Sequence, residues 1–246
     1  MAANLSTPVF PRRRPFLAKG ANISRCTDCL MPVSVCICGI TPSIDVPASF
    51  WLLMHYNEQY KPTNTGRLLL NSVGGGRTIW QRTEPDFRLL HLLARENRYP
   101  ILVYPQAMAP INPVADQEEM LAQLKQGREP VFILLDATWQ QSRKMYNHSP
   151  YLHTLPVLGI TPQAASRYSL RRAQKENHLC TAEVGAECLT WTGETEAAAL
   201  IGDYFEVFNE RYQAVRYSTP CSDIEAVERL RSYRIQRELL TDKDLP

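Results

Sequence analysis

The chain has 246 residues, 44% of them hydrophobic and 21% charged with both signs mixed. That suits one large domain, or a main domain with a small appendage, and argues against global disorder. A net charge of only +2 gives no general attraction to nucleic acid, so any basic binding surface is local.

Residues 1–22 read as a flexible, Pro- and Arg-containing lead. Arg12, Arg13 and Arg14 are either a solvated tail or phosphate contacts. This stretch lacks the apolar run of a secretory signal, and later apolar runs of about five residues are too short to cross a membrane. The expectation is a soluble, cytoplasmic protein.

Residues 23–45 form a cysteine element. Four of the seven cysteines fall in "CTDCLMPVSVCIC", as Cys26, Cys29, Cys36 and Cys38. In a reducing cytosol such close pairs fit tetrahedral thiolate ligation of zinc better than disulfides. Four protein ligands would close the coordination sphere, making the metal structural. Cys180, Cys188 and Cys221 read as ordinary thiols.

From residue 46 to 246 the pattern alternates between strand and helix. Strands are expected at 49–56, 77–81, 100–105, 130–136 and 155–160, with the three glycines at 74–76 as a turn. Helices are expected at 63–73, 86–97, 116–127, 194–216 and 222–240. In helix 86–97, Leu89, Leu90, Leu92 and Leu93 would face inward. Segment 130–136, "PVFILLD", is apolar on both faces, as a central parallel strand requires. The fold class is α/β with a mostly parallel sheet.

Ligands of such sheets bind beyond the carboxyl ends of the strands. His55, Tyr104 with Pro105, and Asp136 all fall at such ends. Asp136 is either a reacting carboxylate there or the N-cap of a following helix. Trp139 is either a stacking surface for a base or a core residue. Thr65 and Gly66, at a helix start, offer backbone N–H groups to an anion or simply cap. Arg171, Arg172 and Lys175, near Arg167, make the best local basic patch for phosphate.

"LDATWQQSRK" resembles the signature of the DTW-domain family, with Asp136, Thr138 and Trp139 as its core. The likeness extends to the cysteine cluster, to His55, Glu58, Thr63, Asn64, Thr65 and Gly66 in "HYNEQYKPTNTGRLL", and to "VYPQ". It also takes in Ser169, Leu170, Arg171, Thr181 and Glu183 in "YSLRRAQKENHLCTAEV". Departures are Cys180, where Ser is common, and Gln141-Ser142, where Ala is frequent. Within the family the chain is most similar to bacterial tRNA-uridine aminocarboxypropyltransferases.

The resemblance implies a SPOUT-like core, in which the C-terminal segment is either threaded into a knot or not. It implies transfer of the 3-amino-3-carboxypropyl group of S-adenosylmethionine to N3 of a uridine in the tRNA variable loop, releasing methylthioadenosine. Uridine N3 must lose a proton, and a carboxylate in the crevice is a sensible base: Asp136 first, Glu183 second. Tyr104, Pro105, Leu135, Asp136, Thr138, Trp139, Ser169, Leu170 and Thr181 would line S-adenosylmethionine. Asn64, Thr65, Gly66, Arg67, Arg171, Arg172 and Lys175 would meet RNA. The competing readings are a methyltransferase on the same fold and a non-catalytic, zinc-containing RNA-binding protein.

Overall fold

The computed structural model describes residues 23–161, 166–168, 170, 179–222 and 224–241. Five strands form one sheet: β1 (Ser49–Met54), β2 (Gly75–Ile79), β3 (Arg98–Val103), β4 (Glu129–Asp136) and β5 (Val157–Leu158). Their order is β2-β1-β4-β3-β5, and every neighbouring pair is parallel. The protein is therefore α/β with an all-parallel sheet.

Parallel neighbours need a crossover between them. Helices α1 (Gly66–Ser72), α2 (Phe87–Leu93), α3 (Gln117–Lys125) and α4 (Trp139–Asn147) supply the four crossovers. Three more helices follow: α5 (Thr181–Thr192), α6 (Thr195–Tyr217) and α7 (Glu225–Thr241). Among the described residues, no helix is long and apolar enough to cross a membrane.

Alternation along the strands divides the core in two. Phe50, Leu52 and Met54 of β1, with Phe132 and Leu134 of β4, face Leu68 and Leu69 of α1, Met120 of α3, Leu189 of α5 and Phe205 and Phe208 of α6. Leu53 of β1, with Val131 and Ile133 of β4, face Leu89 and Leu92 of α2 and Met145 and Tyr146 of α4. The cysteine element joins the first of these cores through Met31, Ile37 and Ile40.

Three expectations need correction. Gly75 and Gly76 belong to β2 rather than to a turn. Gly75 has φ +127°, and a Cβ there would lie 1.9 Å from the Phe50 carbonyl oxygen, so only glycine lets β2 lie this close to β1. Leu90 of α2 is exposed rather than inward. Helix α5 has no counterpart among the expected elements. The other strands and helices fall where the pattern placed them, with ends shifted by a few residues.

Candidate active site

The chain leaves β1 toward the α1 face and leaves the adjacent β4 toward the α4 face. Adjacent parallel strands whose connections diverge open a crevice at their carboxyl ends. Met54 pairs with Asp136 at that point, and the His55 N–H donates to the Asp136 carbonyl at 3.0 Å.

Asp136 is 3% exposed. The Asn64 amide donates to one carboxylate oxygen at 2.6 Å, and the Thr181 hydroxyl donates to the other at 2.9 Å. These partners stand 72 and 45 residues away in sequence. The N-cap position of α4 is held by Thr138, in a capping box with Gln141. The Gln141 departure from the family pattern thus closes that box.

The same segments bind one another nearby. Thr65, at the start of α1, accepts the Ala182 N–H of α5 at 3.3 Å. A Cβ on Gly66 would lie 2.7 Å from the Leu52 side chain and 3.3 Å from those of Asn64 and Thr181. Here the glycine serves close packing. Asn64, Thr65 and Arg67 are all buried, so their side chains face protein rather than an RNA surface. Arg67 reaches the Cys29 carbonyl at 3.5 Å. Burial lowers its pKa and the Arg77 charge adds to this, while Cys29 and Asp136 act the other way. Arg67 therefore sets a positive charge between the cysteine element and Asp136.

Glu183 is the third residue of α5 and forms a capping box with Cys180. Its carboxylate accepts the Cys180 N–H at 2.8 Å, the Ser166 hydroxyl at 2.6 Å and the Arg167 N–H at 2.8 Å. It thereby ties residues 166–168 to the start of α5. The Cys180 thiol takes the capping place that Ser would fill, and burial pushes its pKa up to about 12.

Beyond β3, Tyr104 stacks between Trp139 and Tyr146, with ring centroids at 6.0 and 4.9 Å. Trp139 is 41% exposed and so is not a core residue. The buried Tyr104 hydroxyl and Gln106 Oε1 find no hydrogen-bond partner among the described residues. Buried polar atoms of this kind fit a crevice that receives a polar ligand. Leu135 is half-buried, Pro105 and Thr138 are exposed, and Leu170 is buried. Ser169, Arg171, Arg172 and Lys175 lie outside the described residues. Gln106, Asn64 as a partner of Asp136, and Thr65 as a partner of α5 were not read in these roles from sequence; the "TNTG" segment was the available signal.

Cys26, Cys29, Cys36 and Cys38 bring their sulfurs within 4.8 Å of one another, a group able to hold a metal ion. Cys26–Cys38 and Cys29–Cys36 are 3.6 and 3.7 Å apart. The backbone N–H groups of Cys29 and Asp28 draw the Cys26 thiol down to about 7, whereas burial and the other three thiols push Cys38 up.

The chain belongs to the DTW-domain family, whose domain matches residues 23–213. It is similar to tRNA-uridine aminocarboxypropyltransferase 2 of Drosophila melanogaster, with 28% identity over 171 residues. The match covers 68% of this chain and 65% of that protein, so the chain spans just under two thirds of the relative's length. This relative is from an insect rather than a bacterium. No solved structure matches the chain significantly.

Proposed function

We propose that the protein transfers the 3-amino-3-carboxypropyl group of S-adenosylmethionine to N3 of a tRNA uridine, releasing methylthioadenosine. The observation that carries this reading is the convergence of Asn64, Asp136 and Thr181 at the mouth between β1 and β4, in a chain of the DTW family. The likeness to the insect tRNA-uridine aminocarboxypropyltransferase 2 supports it.

Asp136 is the first base. Two donors hold its carboxylate in one direction, so its approach to the N3 proton is set before substrate arrives. Glu183 already accepts three hydrogen bonds and serves as a positioning residue that holds residues 166–168 against α5. S-adenosylmethionine supplies the electrophilic carbon. Tyr104, Gln106 and Trp139 line its side of the crevice, with the Tyr104 hydroxyl and Gln106 Oε1 as polar contacts. Leu135, Thr138, Ser169, Leu170 and Thr181 complete that lining, and Arg171, Arg172 and Lys175 contact phosphate. A SPOUT-like, knotted core belongs to the same reading. It is supported by the all-parallel sheet and by the Tyr168 hydroxyl, which donates to the Thr63 carbonyl between β1 and α1.

The cysteine cluster holds one structural zinc. Four thiolates at about 2.3 Å from zinc stand about 3.8 Å apart, close to the 3.6 and 3.7 Å found.

S-adenosylmethionine labelled either in its methyl group or in its carboxyl carbon tests the reaction. The carboxyl label should enter tRNA and the methyl label should stay in the small-molecule fraction. Methyl label in tRNA would make the protein a methyltransferase.

A further inference from the structure

Residues 55–64 form a loop closed at both ends on Asp136. The His55 N–H binds the Asp136 carbonyl, and the Asn64 side chain binds its carboxylate. Between these anchors the backbone turns three times: Glu58 N–H to the His55 carbonyl at 2.8 Å, Lys61 N–H to Glu58 at 3.1 Å, and Asn64 N–H to Lys61 at 3.0 Å. Glu58 is fully buried beneath the loop and pairs with Lys61 Nζ at 2.6 Å. The Gln59 amide donates to the Tyr56 carbonyl at 2.9 Å. Loops with this many internal bonds present their side chains in fixed positions.

This loop presents two tyrosines to solvent. Tyr56 is 58% exposed and Tyr60 is 62% exposed. Their rings meet edge to face at 5.4 Å, and the Tyr60 hydroxyl donates to that of Tyr56 at 3.1 Å. Large rings left in water offer wide faces for a planar partner, and unpaired RNA bases are recognised by such stacking. Tyr56 directly follows His55, whose N–H binds the Asp136 carbonyl, so the pair stands on the loop that begins at the mouth between β1 and β4.

We propose that Tyr56 and Tyr60 form a stacking platform for a nucleobase that flanks the acceptor uridine, splaying the RNA strand so that the uridine alone enters the crevice. The inference rests on the tRNA-modifying reading above. It adds a substrate-binding surface apart from the DTW residues and from the basic patch at 171–175.

The test compares wild type with Tyr56→Ala, Tyr60→Ala, the double Ala variant and the double Phe variant, using tRNA affinity across a salt series, S-adenosylmethionine affinity and methylthioadenosine release. Both side chains are exposed, so all variants should fold and keep their S-adenosylmethionine affinity. The Ala variants should bind tRNA about 5- to 150-fold more weakly, as loss of a base stack implies. Their salt slope should match wild type, because no phosphate contact is removed. The Phe variant should bind like wild type. Ala variants with wild-type tRNA affinity would overturn the platform, as would a flattened salt slope. A wild-type protein that neither binds tRNA nor releases methylthioadenosine would overturn the functional reading itself, and the platform with it.

Discussion

Replacing Asp136 by Asn keeps its volume and removes its charge. If Asp136 is the base, single-turnover transfer with both substrates saturating falls by about 10²–10⁴-fold while S-adenosylmethionine still binds. A wild-type rate would remove Asp136 from the chemistry. Asp136→Ala also leaves the Asn64 amide and the Thr181 hydroxyl without this acceptor, costing about 1–3 kcal/mol in a thermal or denaturant melt. That loss is one of unsatisfied buried donors and not of a helix cap, because Thr138 caps α4. Glu183→Gln should show the opposite balance: a lower melting temperature with transfer within a few-fold of wild type. A collapse of transfer with an unchanged melt would make Glu183 the base instead. The position of Asp136 at a strand end was legible in the sequence, because a doubly apolar strand that stops at an acid points to a crevice. Its partners were not, since a contact across 72 residues is chosen by tertiary packing, and only the "TNTG" segment hinted at Asn64.

Helix α5 shows why an element can escape a reading by pattern. Its sequence, "TAEVGAECLTWT", carries β-branched residues and a mid-helix glycine, all weak helix formers. What holds it is packing. A Cβ on Gly185 would lie 2.3 Å from the Leu69 side chain, so the glycine lets α5 lie directly on α1. Gly185→Ala should therefore destabilise the fold by about 1–3 kcal/mol, as overpacking does, despite its gain in helix propensity. It should also slow transfer, because α5 carries Thr181 to Asp136. A stabilised variant, read by a denaturant melt, would show that the contact is loose. By contrast β1, β3, β4 and α6 were legible, since long apolar or periodic segments announce themselves. The edges of α2 were not, because Asp86 caps it and the helix ends at Leu93, before the leucine pattern's polar tail.

At the scale of the whole molecule, the cysteine element shares its core with α6: Met31, Ile37 and Ile40 lie in the same cluster as Phe205 and Phe208. Arg67 of α1 also reaches it, through the Cys29 carbonyl. On sequence alone, metal loss would unfold this element ahead of the sheet. The shared core predicts instead that chelation lowers the melting temperature of one transition for the whole chain, with about one zinc released per chain. Two separate transitions would contradict this coupling. The central claim is the reaction, and mass spectrometry of nucleosides from tRNA incubated with the protein and S-adenosylmethionine tests it most directly. The account predicts a uridine heavier by one aminocarboxypropyl group, with methylthioadenosine in equal amount. A methylated nucleoside with S-adenosylhomocysteine, or tRNA left unchanged by protein that binds both substrates, would contradict it.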